Sequence, residues 1–257
     1  MRKFFLYFLL ILLLVAVGTF FFGFWNAKKI RSFAVELSAI RANHDFSSQV
    51  EEISLSFSDS GKKDVAAIRE DSKRLGEKLN SIITQSNSAG REVEALSASG
   101  ATRPVKDEAV SYFSEVNQQA TDLKGVIGFV GQIIEVAAVF GEIGDSTNLE
   151  AMKSLIGKAK EKSGAVQAEI LPAEIQESAQ ALRGSMDVFL SKMEEVATLA
   201  SQDMSQLGTA YADFSAKENE FFSAAKKHIG QMEDLNAMEK RMNLNIERLG
   251  KVRFSLK

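Results

Sequence analysis

The sequence predicts an all-α protein: an N-terminal transmembrane helix followed by an elongated antiparallel helical bundle, a coiled-coil-like rod. Three observations carry this. Residues 4–25 form an apolar run without one ionisable side chain. Apolar residues then recur at 3-4 spacing over most of the remaining chain. Only two prolines, Pro104 and Pro172, occur in 257 residues, so little interrupts a helix.

Residues 1–3 are a short basic tail, and the run from Phe4 through Leu10, Leu14 and Phe21 to Trp25 is read as a membrane-spanning helix. Sixteen of its 22 residues are Phe, Leu, Ile or Val. Together they favour insertion by about 5–10 kcal/mol on the translocon scale. About 20 apolar residues cross the hydrocarbon core, so the length fits one span. Ala16-Val17-Gly18 has the small-x-small form of a cleavage site. The apolar run continues past it, however, and is longer than a signal core, which favours an uncleaved signal-anchor. Trp25 suits the headgroup level. Arg2 and Lys3 before a long apolar run place the N-terminus in the cytoplasm and the bundle on the outer face of the cell membrane, single-pass.

Beyond the anchor the chain is mildly acidic. All 34 acidic residues but only 29 of the 31 basic ones lie there, a net of −5, which argues against a nucleic-acid partner. The absence of cysteine excludes disulfides and zinc–thiolate sites.

Residues 26–61 read as a helical stalk: Ile30, Phe33, Leu37, Ile40 and His44 share a stripe. Ile53-Ser-Leu55-Ser-Phe57 alternates like a strand, but nothing pairs with it, so helix is preferred up to a break near Ser58–Gly61. Residues 62–257 form the long-helix bundle, with helices over about 62–98, 104–142, 147–171 and 173–252. The first seam runs Val65, Ile68, Ser72, Leu75, Leu79, Ile82, Ser86, Ala89, Val93, Leu96, and the second runs from Ala109 to Phe140 with the same period. Equal lengths and a short loop before Pro104 predict an antiparallel hairpin. Its 3.5-residue period predicts left-handed packing. Thr147 and Glu150 suggest a capping box for the third helix, which should stop before Pro172. The last helix, about 80 residues, would measure about 120 Å, with Gly208 a candidate kink point.

Gly125–Gly141 is the most apolar stretch of the bundle, with Glu135 its single ionisable residue. Two readings stand. It is a helix buried on all sides, where Gly125, Gly128 and Gly131 admit a neighbouring backbone, or it is a membrane-active segment. A permanent span is disfavoured by its length and by about 3 kcal/mol for Glu135.

Phosphate-loop, dinucleotide, acyl-transfer and zinc-protease signatures are absent. His44 and His228 lack metal-ligand spacing, and adjacent pairs such as Glu194-Glu195 diverge from a helix. No enzymatic activity, cofactor or small-molecule substrate is therefore expected. Two segments are candidates for membrane-surface contact. One holds Lys28, Lys29 and Arg31; the other, residues 240–257, is strongly basic and includes Arg248, Lys251, Arg253 and Phe254.

In architecture alone the chain resembles two groups, cytolysin-type pore-forming toxins with a sheltered apolar segment and the tethered helical ectodomains of bacterial chemoreceptors. It shares no diagnostic motif with either. The expected function is a non-enzymatic, membrane-anchored scaffold or partner-binding, sensor-like module. It would use the bilayer and a protein partner, or a second copy, through its helical seams. The alternative is a membrane-active protein that uses residues 125–141.

Overall fold

The computed structural model describes residues 2–58, 65–144, 148–199 and 204–253, with side chains of the first helix described from Phe22 onward. Every regular element is helical, and no strand occurs among the described residues. The helices are α1 (Arg2–Ala42), α2 (Phe46–Ser58), α3 (Val65–Ala95), α4 (Arg103–Gly144), α5 (Leu149–Gly164), α6 (Ala173–Leu199), α7 (Met204–Gln231) and α8 (Leu235–Gly250). A 3-10 turn, Ala168–Ile170, links α5 to α6. The chain is an all-α helical bundle that divides into two compact units.

The first unit takes residues 1–47, 85–116 and 234–257. In it α1 buries Ile30, Phe33 and Leu37 of the stripe read from sequence, together with Ala27 and Ala34, while Ile40 and His44 are half-buried. α8 packs on α1 through a matching stripe of Leu235, Met238, Met242, Ile246 and Leu249. The end of α3 and the start of α4 add Ala89, Val93, Ala109, Tyr112, Phe113 and Val116 to this core. These two segments run antiparallel. Lys106 Nζ donates to the carbonyls of Glu94 at 2.6 Å and Leu96 at 2.8 Å, while Phe113 faces Gly90. In the turn before α4, Ser99 N donates to Thr102 Oγ1 at 2.8 Å. The stalk is not one helix. It breaks at residues 43–45 and resumes as α2, where the alternating Ile53–Phe57 segment is helical, buried at Ile53 and exposed at Leu55.

The second unit takes residues 48–84 and 117–233. Here too α3 and α4 are antiparallel, with Arg69 on Glu135 and Asn117 Nδ2 donating to Ile83 O at 3.2 Å. α5 and α6 are antiparallel through Lys160–Glu194 and Ser163–Asp187. The expected 80-residue helix over 173–252 is corrected by α6, α7 and α8. α6 and α7 form an antiparallel hairpin in which Phe189 meets Tyr211 at 5.6 Å and Phe214 at 6.1 Å, and Glu174 lies 3.8 Å from His228. Folding back lets each helix bury a face on the other, at about 1.5–3 kcal/mol per large apolar side chain, which one extended helix forgoes. α7 runs through Gly208 as one helix. The second break falls at 232–234, where Asp234 caps α8 by accepting from Ala237 N at 3.0 Å.

The third expected helix is also shorter than 147–171. α5 is capped by Asn148, whose side chain accepts from Glu150 N, and stops at Gly164. The expected cap, Thr147, lies outside the described residues. Leu149 and Ile170, placed on its buried stripe, are 43% exposed.

Candidate membrane-facing end and the apolar helix

In the first unit the candidate membrane-contact residues converge on one end. α1 is unbroken from Arg2 to Ala42, so the apolar run and the packed stripe belong to one helix. Just before the packed part, Phe22, Phe24 and Trp25 are exposed by 73%, 50% and 61%. Lys29 Nζ sits 4.2 Å above the Trp25 ring, a cation–π contact, while Lys28 and Arg31 are exposed beside it. Side chains of Phe4, Leu10, Leu14 and Phe21 lie outside the described residues.

α8 runs back along α1, because the last turn of α1 is bonded to the second turn of α8. Arg41 Nη2 and Ser47 Oγ both donate to the Glu239 carboxylate, and Tyr112 Oη donates to the same group at 3.4 Å. Glu239 is buried on the apolar face of α8. Burial first, and then the Glu239 charge, pushes the Tyr112 hydroxyl well above the usual phenol range. His44 stacks on Phe46 at 4.8 Å. From Glu239 to Arg248 is nine residues, about 13.5 Å of helix, which returns the basic end of α8 toward the Lys28–Arg31 level. Lys251 there is paired with Glu247, whose carboxyl it holds below the usual range, and Arg253 is exposed. Phe254 lies outside the described residues.

Comparison of the chain with protein-family models, curated proteins and solved structures finds no match. Its chemistry therefore has to be read from its own side chains.

In the second unit one face of the segment 125–141 is inside the bundle: Val126, Ile127, Phe129, Val130, Ile134, Val136 and Val139 are buried, while Gly128 and Gly141 are exposed. Among the described residues α4, over Arg103–Ile143, is long and apolar enough to cross a membrane by length and composition. The three glycines are not equivalent. A Cβ on Gly125 would lie 2.6 Å from the Ile170 carbonyl oxygen, so a backbone does approach there. At Gly128 and Gly131 it would meet the side chains of Ile170 and Ser72 at an ordinary 3.7 Å, which corrects the expectation for those two. Glu135 is held by Arg69 of α3 and Lys162 of α5. The hydrogen bond from Arg69, then that from Lys162, keeps its carboxyl below the usual range. That contribution to stability is present above the ordinary carboxylate pKa and is lost as pH falls through the depressed folded value. Glu135→Gln should flatten this acid limb of a thermal melting profile. An unchanged limb would show that the clamp contributes nothing.

Glu194 and Glu195 pair with different lysines, Lys160 and Lys192. His228 Nε2 lies 3.3 Å from Asp122, whose carboxyl burial pushes up while His228 pulls it down. No cluster of three or more His, Cys, Asp or Glu is placed to hold a metal among the described residues. The Glu239 network was not anticipated. Its one local signal is an acid at position 239 inside the stripe Leu235, Met242, Ile246, Leu249.

Proposed function

We propose that the chain is a non-enzymatic, single-pass membrane-anchored helical bundle that serves as a scaffold or partner-binding module. In this reading residues 4–25 are the span, and the bundle stands on the outer face as a coiled-coil-like rod. The carrying observation is the continuity of α1: one helix holds both the apolar run and a stripe packed in the first unit. An anchor joined this way transmits position rigidly, as a spacer or sensor requires. The exposed aromatics Phe22, Phe24 and Trp25, followed by Lys28, Lys29 and Arg31, support an interfacial level at this point.

The second reading, a membrane-active protein, is favoured by the length and composition of α4. Releasing 125–141 would require breaking the Arg69–Glu135–Lys162 clamp.

Carbonate washing of native membranes should leave the full chain in the pellet, and its release would refute the anchor. Single cysteines at Ser99 and Ser223 then separate the layouts, since the chain has no native thiol. Both should react with an impermeant maleimide in intact cells. Reaction at 99 alone would mean that α4 crosses the bilayer, and protection of both would place the bundle in the cytoplasm.

A further inference from the structure

One face of α1 carries Phe22, Trp25, Lys29, Ser32 and Glu36 in succession at 3-4 spacing. Leading away from the apolar run, this face reads aromatic, cation, hydroxyl, anion. The two charges lie seven residues apart, about 10.5 Å along the axis, too far to pair with each other. Among the described residues neither has an ionic partner. Lys29 rests on the Trp25 ring. Glu36 Oε1 accepts from Ser32 Oγ at 2.9 Å, and among the described residues its second oxygen has no donor. Both charges line one open cavity of about 580 Å³, together with Ser32, Phe33, residues 95–99 and Thr102.

We propose that this cavity holds the headgroup of a membrane phospholipid of the phosphoethanolamine type, with its phosphate on Lys29 and its primary ammonium on Glu36. The proposal rests on the anchor reading. If the apolar run lies in the bilayer, acyl chains, phosphate and ammonium follow one another outward in the order of Trp25, Lys29 and Glu36. Ser32 lies between the charges and holds the Glu36 carboxylate through Oε1, which leaves the second oxygen to the ammonium. A headgroup with a phosphate and no cation would leave Glu36 facing like charge. A trimethylammonium group has no N–H to donate to its free oxygen.

The full chain, purified in a mild non-ionic detergent, is mixed with equal amounts of dioleoyl phosphatidylethanolamine, phosphatidylcholine and phosphatidylglycerol, and retained lipid is counted by native mass spectrometry. The ethanolamine lipid should be retained at least about tenfold over each of the others. Glu36→Gln should retain ethanolamine and choline lipids equally, and Lys29→Gln should lose about tenfold in ethanolamine lipid. Both side chains are exposed, and circular dichroism checks that the variants stay helical. Lys192→Gln, a surface change in the second unit, should leave the ethanolamine-to-choline ratio unchanged. Equal retention by the native chain, a Glu36→Gln chain that keeps its preference, or loss of preference in Lys192→Gln would each overturn the proposal. Carbonate washing separates the causes: a released chain refutes the anchor and the headgroup site together. A retained chain without lipid preference refutes only the headgroup site.

Discussion

Glu239→Ala is expected to destabilise the first unit by about 2–4 kcal/mol and to loosen α8 from α1. The substitution removes a carboxylate that accepts from Arg41, Ser47 and Tyr112. It leaves a guanidinium whose Nε is already buried without a partner. Arg41 is 36% exposed at its side chain, so the loss falls short of a fully buried pair. A drop in melting temperature of roughly 6–12 °C should accompany it. The double variant Arg41→Met/Glu239→Leu should cost much less, because no unpaired charge remains. Glu239→Gln provides a second readout. Tyr112 should titrate below its native value yet above an ordinary phenol, since burial is the larger cause and survives the change. A Glu239→Ala chain that melts within about 1 °C of the parent would show that the network does not hold α8.

Gly125→Ala and Gly128→Ala should move stability in opposite directions although they lie one turn apart. The first places a methyl group 2.6 Å from the Ile170 carbonyl oxygen, a backbone atom that cannot swing aside. Either α4 or the 3-10 turn must shift, at about 1–3 kcal/mol, more than helix propensity returns. The second meets only the end of the Ile170 side chain at 3.7 Å. There the propensity gain of up to about 1 kcal/mol should appear as a higher melting temperature. Shifts of the same sign in both variants would refute the close approach of α4 to residue 170.

Much of the helical organisation was legible because periodicity reports which face of a segment is buried. Leu75, Leu79, Ile82, Ser86, Ala89 and Val93 follow the α3 seam in order, and all six are buried. The same signal misled over 173–252. A stripe does not say whether its cover comes from one long neighbour or from the chain turning back on itself. The break before α8 needs neither proline nor glycine, only Asp234 as an N-cap and two residues outside the helix. An aspartate in a long polar stretch is too common to be read as a stop.

By itself the sequence determined the helical class, the apolar run of residues 4–25 and the buried face of α3 from Leu75 to Val93. These follow from composition and from spacing over a few turns, which are local properties. Only the tertiary structure decided which partners each face meets. Glu239 finds Arg41 across 198 positions, Glu135 finds Arg69 and Lys162, and Gly125 alone of its three glycines faces a backbone. A pairing across so long an interval leaves no trace in local spacing. Charge and shape complementarity select it, and they exist only once the helices have packed.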